Sequence, residues 1–312
     1  MAYATEEILR VLIPFIGLAA FTLVTPITIA LLVVLGFLIL SYRQTIKAYP
    51  SAGGAYIVTR DNFGLIPAQV AGVALLTDYI LTVAVSVAAG VDALASTFSV
   101  FSPYRLWIDI FFVVVIAYIN LRGTKESGKM FAVPTYFFIV NMLLLLAVGI
   151  VREFTTGLHK GATNLQGMLP MGAHKGSGLL MGATAFIVLK AFGSGGAAVT
   201  GVEAISNGVP AFKRPESKNA ATTLVWMAFI LGGLFFGVSL LAHRLQPFPS
   251  HEQTVFSQMG LLVFGQGSIL YIILQFATAA ILVLAACGPP WALLVLSLLV
   301  PFVVLRRIVP TT

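Results

Sequence analysis

Residues 180–212, LMGATAFIVLKAFGSGGAAVTGVEAISNGVPAF, form an apolar stretch interrupted by Gly193-Ser194-Gly195-Gly196, with one carboxylate, Glu203, just beyond the interruption. In a bilayer a broken helix leaves backbone carbonyls and amides without partners, which is tolerated only where they line a cavity or are buried in protein. A soluble core has no use for these apolar flanks, and a simple membrane anchor has no use for the break. The segment predicts a binding site on a discontinuous transmembrane helix, as in a transporter.

The rest of the chain supplies the matching context. Of its 312 residues 59% are apolar and 9% charged, and mean hydropathy is +0.99, whereas about a quarter of the residues in soluble domains are charged. A crossing takes about 20 apolar residues. Stretches at 4–24, 25–47, 66–98, 103–121, 130–151, 180–212, 219–243 and 269–308 predict an all-α polytopic membrane protein in one continuous domain.

The net charge of +7 suggests nucleic acid only until the basic residues are located. Arg43, Lys47 and Arg60 follow the second span, Arg122, Lys125 and Lys129 the fourth, and Lys213, Arg214 and Lys218 the sixth. The intervening short loops carry Arg105 alone and Arg244 alone, while the longer loop at 152–179 carries three, a weaker match. By the positive-inside rule, even-numbered spans of this multi-pass cell-membrane protein end in the cytoplasm.

Catalytic readings fail for want of residues. The glycine run lacks the Gly-Lys-Ser/Thr of a phosphate-binding loop, and there is no HExxH pattern. Cys287, the single cysteine, excludes an internal disulfide framework and any cysteine-based metal site. His159, His174, His243 and His251 lie in loops or at span ends, so Ser194 has no base in mid-span. No catalytic residue, structural metal or cofactor is expected.

In the third span, Asp78, Thr82 and Ser86 form a slowly drifting stripe at ~100° per residue, beside Tyr79, and Asp92 returns to the same side. An ionisable group inside a span costs about 2.5–3.5 kcal/mol on insertion scales and usually faces an aqueous cavity or substrate path. Helix–helix hydrogen bonding explains Thr82 and Ser86 equally well, but explains Asp78 poorly. In the sixth span, Thr200, Glu203 and Asn207 recur at i, i+3 and i+7 on one face, where a carboxylate beside a helix break suits cation or proton coupling. The bland readings are close helix packing for the glycines and a structural, protonated acid for Glu203.

Three further features are ambiguous. Ala48-Tyr49-Pro50-Ser51-Ala52-Gly53-Gly54-Ala55-Tyr56, followed by a mixed segment to Asn62, is a shaped Pro/Gly turn, either a gate or a connector. Thr5 followed by Glu6 and Glu7 reads as ordinary N-capping with a favourable dipole interaction. Lys190, just before the break, is either a functional cation or a snorkelling side chain.

Several runs resemble the amino acid–polyamine–organocation (APC) superfamily of permeases, and within it the KimA-like potassium importers. They are Ala2-Tyr3-Ala4-Thr5-Glu6-Glu7-Ile8-Leu9, Ser41-Tyr42-Arg43-Gln44-Thr45-Ile46 through Tyr49 to Val58, and Asp78-Tyr79 with Thr82. Phe192 to Gly196 and Thr200 to Phe212 add to them. The resemblance implies a LeuT-like fold, with first helices of two inverted repeats broken at the substrate site and working by alternating access, in a possible homodimer. It also implies potassium uptake coupled to protons, with Tyr3, Asp78, Tyr79, Thr82, Ser86, Thr200 and Glu203 in the cation pathway. Relatives continue upstream of residue 1 into the first half-helix, and after Ala286 this chain departs from their pattern. Residues 1–286 are therefore expected to be a partial APC-type transmembrane domain with a truncated first helix, and 287–312 a divergent apolar tail with the look of a shifted frame.

The leading expectation is a secondary active transporter that moves K+ with H+, Asp78 and Glu203 supplying charge, the neighbouring hydroxyls supplying oxygens, and Glu203 carrying the coupled proton. The alternatives are an amino acid permease, in which the positive end of a half-helix holds a substrate carboxylate, and a non-transporting membrane fragment.

Overall fold

Inside a bilayer no water bonds the backbone, so each crossing segment must satisfy its own amides and carbonyls, which a helix does and an isolated strand does not. The computed structural model describes residues 3–51, 53–121, 127–161, 168–172 and 180–285. The expectations that rest on Ala52, Arg122, Lys125, His174, Cys287 and the tail at 287–312 lie outside the described residues.

The helices are α1 (Ala4–Ile16), α2 (Ala20–Ala48), α3 (Gly54–Phe63), α4 (Leu65–Thr97), α5 (Arg105–Leu121), α6 (Ser127–Thr155), α7 (Ala185–Gly195), α8 (Glu203–Asn207), α9 (Glu216–Leu245), α10 (Val255–Phe264) and α11 (Ile269–Ala285). Among the described residues strand pairing is limited to an isolated bridge between Met168 and Ser250. Ala4–Ala48, Leu65–Thr97, Ser99–Tyr118, Ala132–Thr155 and Glu216–Leu245 are long and apolar enough to cross a membrane, and Ala185–Ala198, Val255–Phe264 and Ile269–Leu284 are shorter apolar helices. The chain is an all-α polytopic membrane protein.

Three boundaries differ from those the apolar runs predict. The first span does not run to residue 24: α1 stops at Ile16, Gly17 takes φ 56°, and the helix resumes at Ala20 after a 3-10 turn. Gly17 and Gly172 meet there, since a Cβ on Gly17 would lie 2.8 Å from the Gly172 carbonyl oxygen, and the Gly172 amide donates to Ile13 O at 3.1 Å. The mixed segment after the Pro/Gly turn is helical, as α3. Helix α10 has no counterpart among the apolar runs, because its ten residues are too few for a crossing; it starts where Thr254 Oγ1 accepts from the Ser257 amide at 3.1 Å.

The chain packs as two compact units, one of Tyr3–Leu75 with Pro170–His243, the other of Leu76–Leu169 with the described residues from Arg244 onward. In the first unit α1 buries Ile8, Leu9, Leu12 and Ile13 completely and packs chiefly against α7 and α2. A second cluster joins Leu35, Ile39 and Ile46 of α2 to Val202, Val209, Ala220 and Leu224.

Thr5 is not the N-cap. Tyr3 occupies that position, its side chain making no capping hydrogen bond, while the buried Thr5 hydroxyl lies 3.3 Å from Ser239 Oγ, to which Thr28 Oγ1 donates at 2.8 Å. Once packing delivers a hydroxyl from α9, an intramembrane partner replaces the cap. Glu6 and Glu7 remain in the first turn of α1, and the nearly buried Glu6 accepts from Arg10 at 2.7 and 3.0 Å. Such a shielded pair matters most through the exposed cost of removing one partner.

In the second unit Val83, Ala84 and Val87 of α4 pack on Val113 and Ile116 of α5, and α11 lies along α6 and α10. Gly90 lets α11 approach, as a Cβ there would meet Leu282 and Val283 at 3.4 Å. The end of α4 is anchored: Arg105 lies 3.5 Å from Asp92 and donates to His251 O at 2.8 Å, and Ser96 Oγ accepts from the Thr254 amide at 3.2 Å. Asp92 is thereby accounted for structurally.

Candidate functional site

Thr184 opens α7 by accepting from the Ile187 amide at 3.3 Å, and the apolar run then carries the helix through Gly193, Ser194 and Gly195. These three residues are helical, contrary to the expected break. Gly196 begins a 3-10 turn over Gly196–Ala198, and α8 resumes only at Glu203. Glycine in a helix costs about 1 kcal/mol relative to alanine and does not by itself stop it. The chain instead turns at Gly201, whose φ of 85° favours glycine. The interruption thus covers residues 196–202, closer to Glu203 than the glycine run suggests.

The glycines also divide by role. A Cβ on Gly195 would fall 2.6 Å from Ile8 Cγ1 and 2.9 Å from Leu31 Cδ1, so this glycine is a packing contact of α7 with α1 and α2. Gly193 and Gly196 face open space within 4 Å. Close packing, the bland reading, therefore applies to one glycine of the run.

Thr200 lies within the interruption, exposed, with Oγ1 donating to Ala197 O at 2.9 Å. Glu203 is the first residue of α8 and half-buried, and its carbonyl accepts from Ser206 Oγ at 2.8 Å. Because Thr200 precedes the helix, the shared helical face predicted for Thr200, Glu203 and Asn207 reduces to Glu203 and Asn207. Tyr3, half-buried, precedes α1 and accepts through its carbonyl from the Glu7 amide at 2.9 Å. Lys190 is exposed on α7.

The loop after α2 seats on α8. Gly53, at φ 112°, donates its amide to Asn207 O at 3.3 Å. Gly54, at φ 28°, lies so close that a Cβ there would collide with Asn207 Oδ1 and stand 3.3 Å from Ser206 Oγ. Both glycines are needed, one for its left-handed backbone and one for its missing side chain.

Helix α4 runs unbroken from Leu65 to Thr97, so the stripe of Asp78, Thr82 and Ser86, in the second unit, is a true helical stripe. Asp78, Tyr79 and Thr82 are half-buried and Ser86 is buried. The second unit also buries polar groups outside that stripe: Asp109 of α5 is fully buried, and Asn141 of α6 and Gln275 of α11 nearly so. Asp109 carried a legible signal, an acid inside RLWIDIFFVVV. Gln275 stands out because neither end of its amide has a hydrogen-bond partner among the described residues, although a buried polar group without one costs about 1–3 kcal/mol.

Comparison with known proteins agrees with this architecture. The sequence model described as "Amino acid permease" matches residues 8–305. The chain is 46% identical over 286 residues to "Potassium transporter KimA" of Bacillus subtilis (strain 168), an alignment covering 92% of this chain and 45% of that protein. It therefore spans about half the length of that relative. The discontinuous α7–α8, helices of membrane length and a family match over nearly every residue lead to one conclusion: the chain belongs to the amino acid permease family.

Proposed function

We propose that the protein is a secondary active transporter that takes up potassium together with protons by alternating access. The observation that carries this reading is the acid-bearing polar stripe on an otherwise apolar, membrane-length α4, since intramembrane acids mark ion paths. Asp78 supplies charge there, and Tyr79, Thr82 and Ser86 supply oxygens. In the first unit Tyr3 and Thr200 add oxygens, and Glu203, at the resumption of a discontinuous helix, handles the coupled proton. The potassium named for the 46% identical relative supports the choice of ion. Even-numbered spans end in the cytoplasm, so the Pro/Gly loop between α2 and α3 faces that side.

The test is rubidium uptake by a host lacking its own potassium importers. Asp78→Asn and Glu203→Gln are each expected to lower uptake at least about tenfold, the loss of roughly 1.4 kcal/mol, with membrane abundance unchanged. Parental uptake by both variants contradicts the assignment.

A second reading, amino acid uptake, is favoured by the family description. In it the amides at the start of a half-helix hold the substrate carboxylate. Competition of rubidium uptake by free amino acids separates the two.

A further inference from the structure

Where the last turns of α2 run beside the first turns of α9, the first unit holds a cavity of about 560 Å³. Arg43 and Lys47, four residues apart, face it from α2, and Ser217, Lys218, Thr222 and Trp226 line it from one side of α9. Packing below creates the space: Ile39 and Ile46 meet Ala220 and Leu224 in the core, and the small Ala221 leaves room between them. We infer that this cavity binds the phosphate headgroup of an anionic membrane lipid.

Three observations point to that occupant. Arg43, Lys47 and Lys218 converge without an ion-pair partner among the described residues, and the nearest acid in sequence, Glu216, lies 3.8 Å from Arg214 instead. Like charges repel across such a space until an anion enters. Lys218 also sits in the first turn of a 30-residue helix, where the dipole favours a negative group and disfavours a lysine. A phosphate between these side chains relieves both conflicts.

The cavity is also two-natured, which separates a lipid from a soluble anion. Val225 and Trp226 complete its lining, about 10–12 Å along α9 from Lys218 at 1.5 Å per residue, toward the membrane-embedded part of the helix. Trp226 is 66% exposed, suited to the glycerol and upper acyl region where tryptophan concentrates. Basic pockets between transmembrane helices take anionic headgroups on the same grounds. The inference rests on the membrane placement of α2 and α9 and is independent of the transported substrate.

Native mass spectrometry of the purified chain, in micelles holding equal phosphatidylglycerol and phosphatidylcholine, tests it. The parent is expected to retain phosphatidylglycerol preferentially, and Lys47→Gln combined with Lys218→Gln to lose retention by about fivefold per charge removed. Arg60→Gln with Lys160→Gln, an equal charge loss elsewhere, is expected to change nothing. Equal retention of the two lipids by the parent, or full retention by the Lys47/Lys218 variant, overturns the proposal. Displacement of phosphatidylglycerol by equimolar inorganic phosphate also overturns it, reassigning the cavity to a soluble anion. A readout on the unaltered cavity stands beside the variants: Trp226 emission, taken as parent minus Trp226→Phe, should be quenched more by brominated phosphatidylglycerol than by the phosphatidylcholine analogue. Equal quenching counts against the site.

Discussion

The amide of Gly53 donates to the carbonyl of Asn207 at 3.3 Å, fastening the loop after α2 to the last residue of α8. The loop joins α2 to α3 and is also bound to the second half of the discontinuous helix. Any displacement of α8 must carry the loop with it or break this bond.

Gly54→Ala should break it. The new methyl meets the Asn207 side chain at a backbone position with φ 28°, and overpacking of this kind costs about 1–3 kcal/mol. Hydrogen exchange at the Gly53 amide is expected to accelerate, together with a lower unfolding midpoint in micelles. Parental protection at Gly53 would show that the contact carries no load.

The glycines of the run are expected to respond oppositely. Gly193→Ala places a methyl in open space within a helix and should stabilise by up to about 1 kcal/mol. Gly195→Ala drives a methyl against Ile8 and Leu31 and should destabilise by about 1–3 kcal/mol. Denaturant titration of both variants checks the contrast in sign.

Thr28 and Ser239 form a buried bond at 2.8 Å between α2 and α9. A double-mutant cycle with Thr28→Val and Ser239→Ala is expected to give a coupling of about 0.6–1.7 kcal/mol. The value is modest because a threonine stripped of its partner can turn to a carbonyl of its own helix.

Gln275 is predicted to trade stability for function. Gln275→Leu removes two buried groups that have no hydrogen-bond partner among the described residues and should raise stability by about 1–3 kcal/mol. If the amide serves a passing ion or its water, rubidium uptake falls in the same variant. A gain in stability with unchanged uptake would leave Gln275 as mere strain in the core.

Legibility differed between residues for physical reasons. The stripe of Asp78, Thr82 and Ser86 could be read because helical periodicity is local and α4 is unbroken. Periodicity places Thr200 on the same helical face only if it carries across Gly201, whose φ of 85° resets it. Thr5 resembles a cap in sequence because its partner in the fold, Ser239, lies 234 residues away. Asp109 is legible in principle, because an acid within an apolar run is itself a signal.

The order of residues alone determined that this chain lies in a membrane, that its crossings are helical and that one of them is interrupted beside Glu203. Those features follow from hydrophobic length and from the bilayer's refusal of unpaired backbone, both local properties of the chain. Only the tertiary structure decided which glycine ends a helix and which one packs, where the Pro/Gly loop docks, and that three basic side chains of α2 and α9 share one cavity. These depend on distances between segments far apart in sequence, and a pattern along one helix holds no information about what its neighbour brings within a few ångströms.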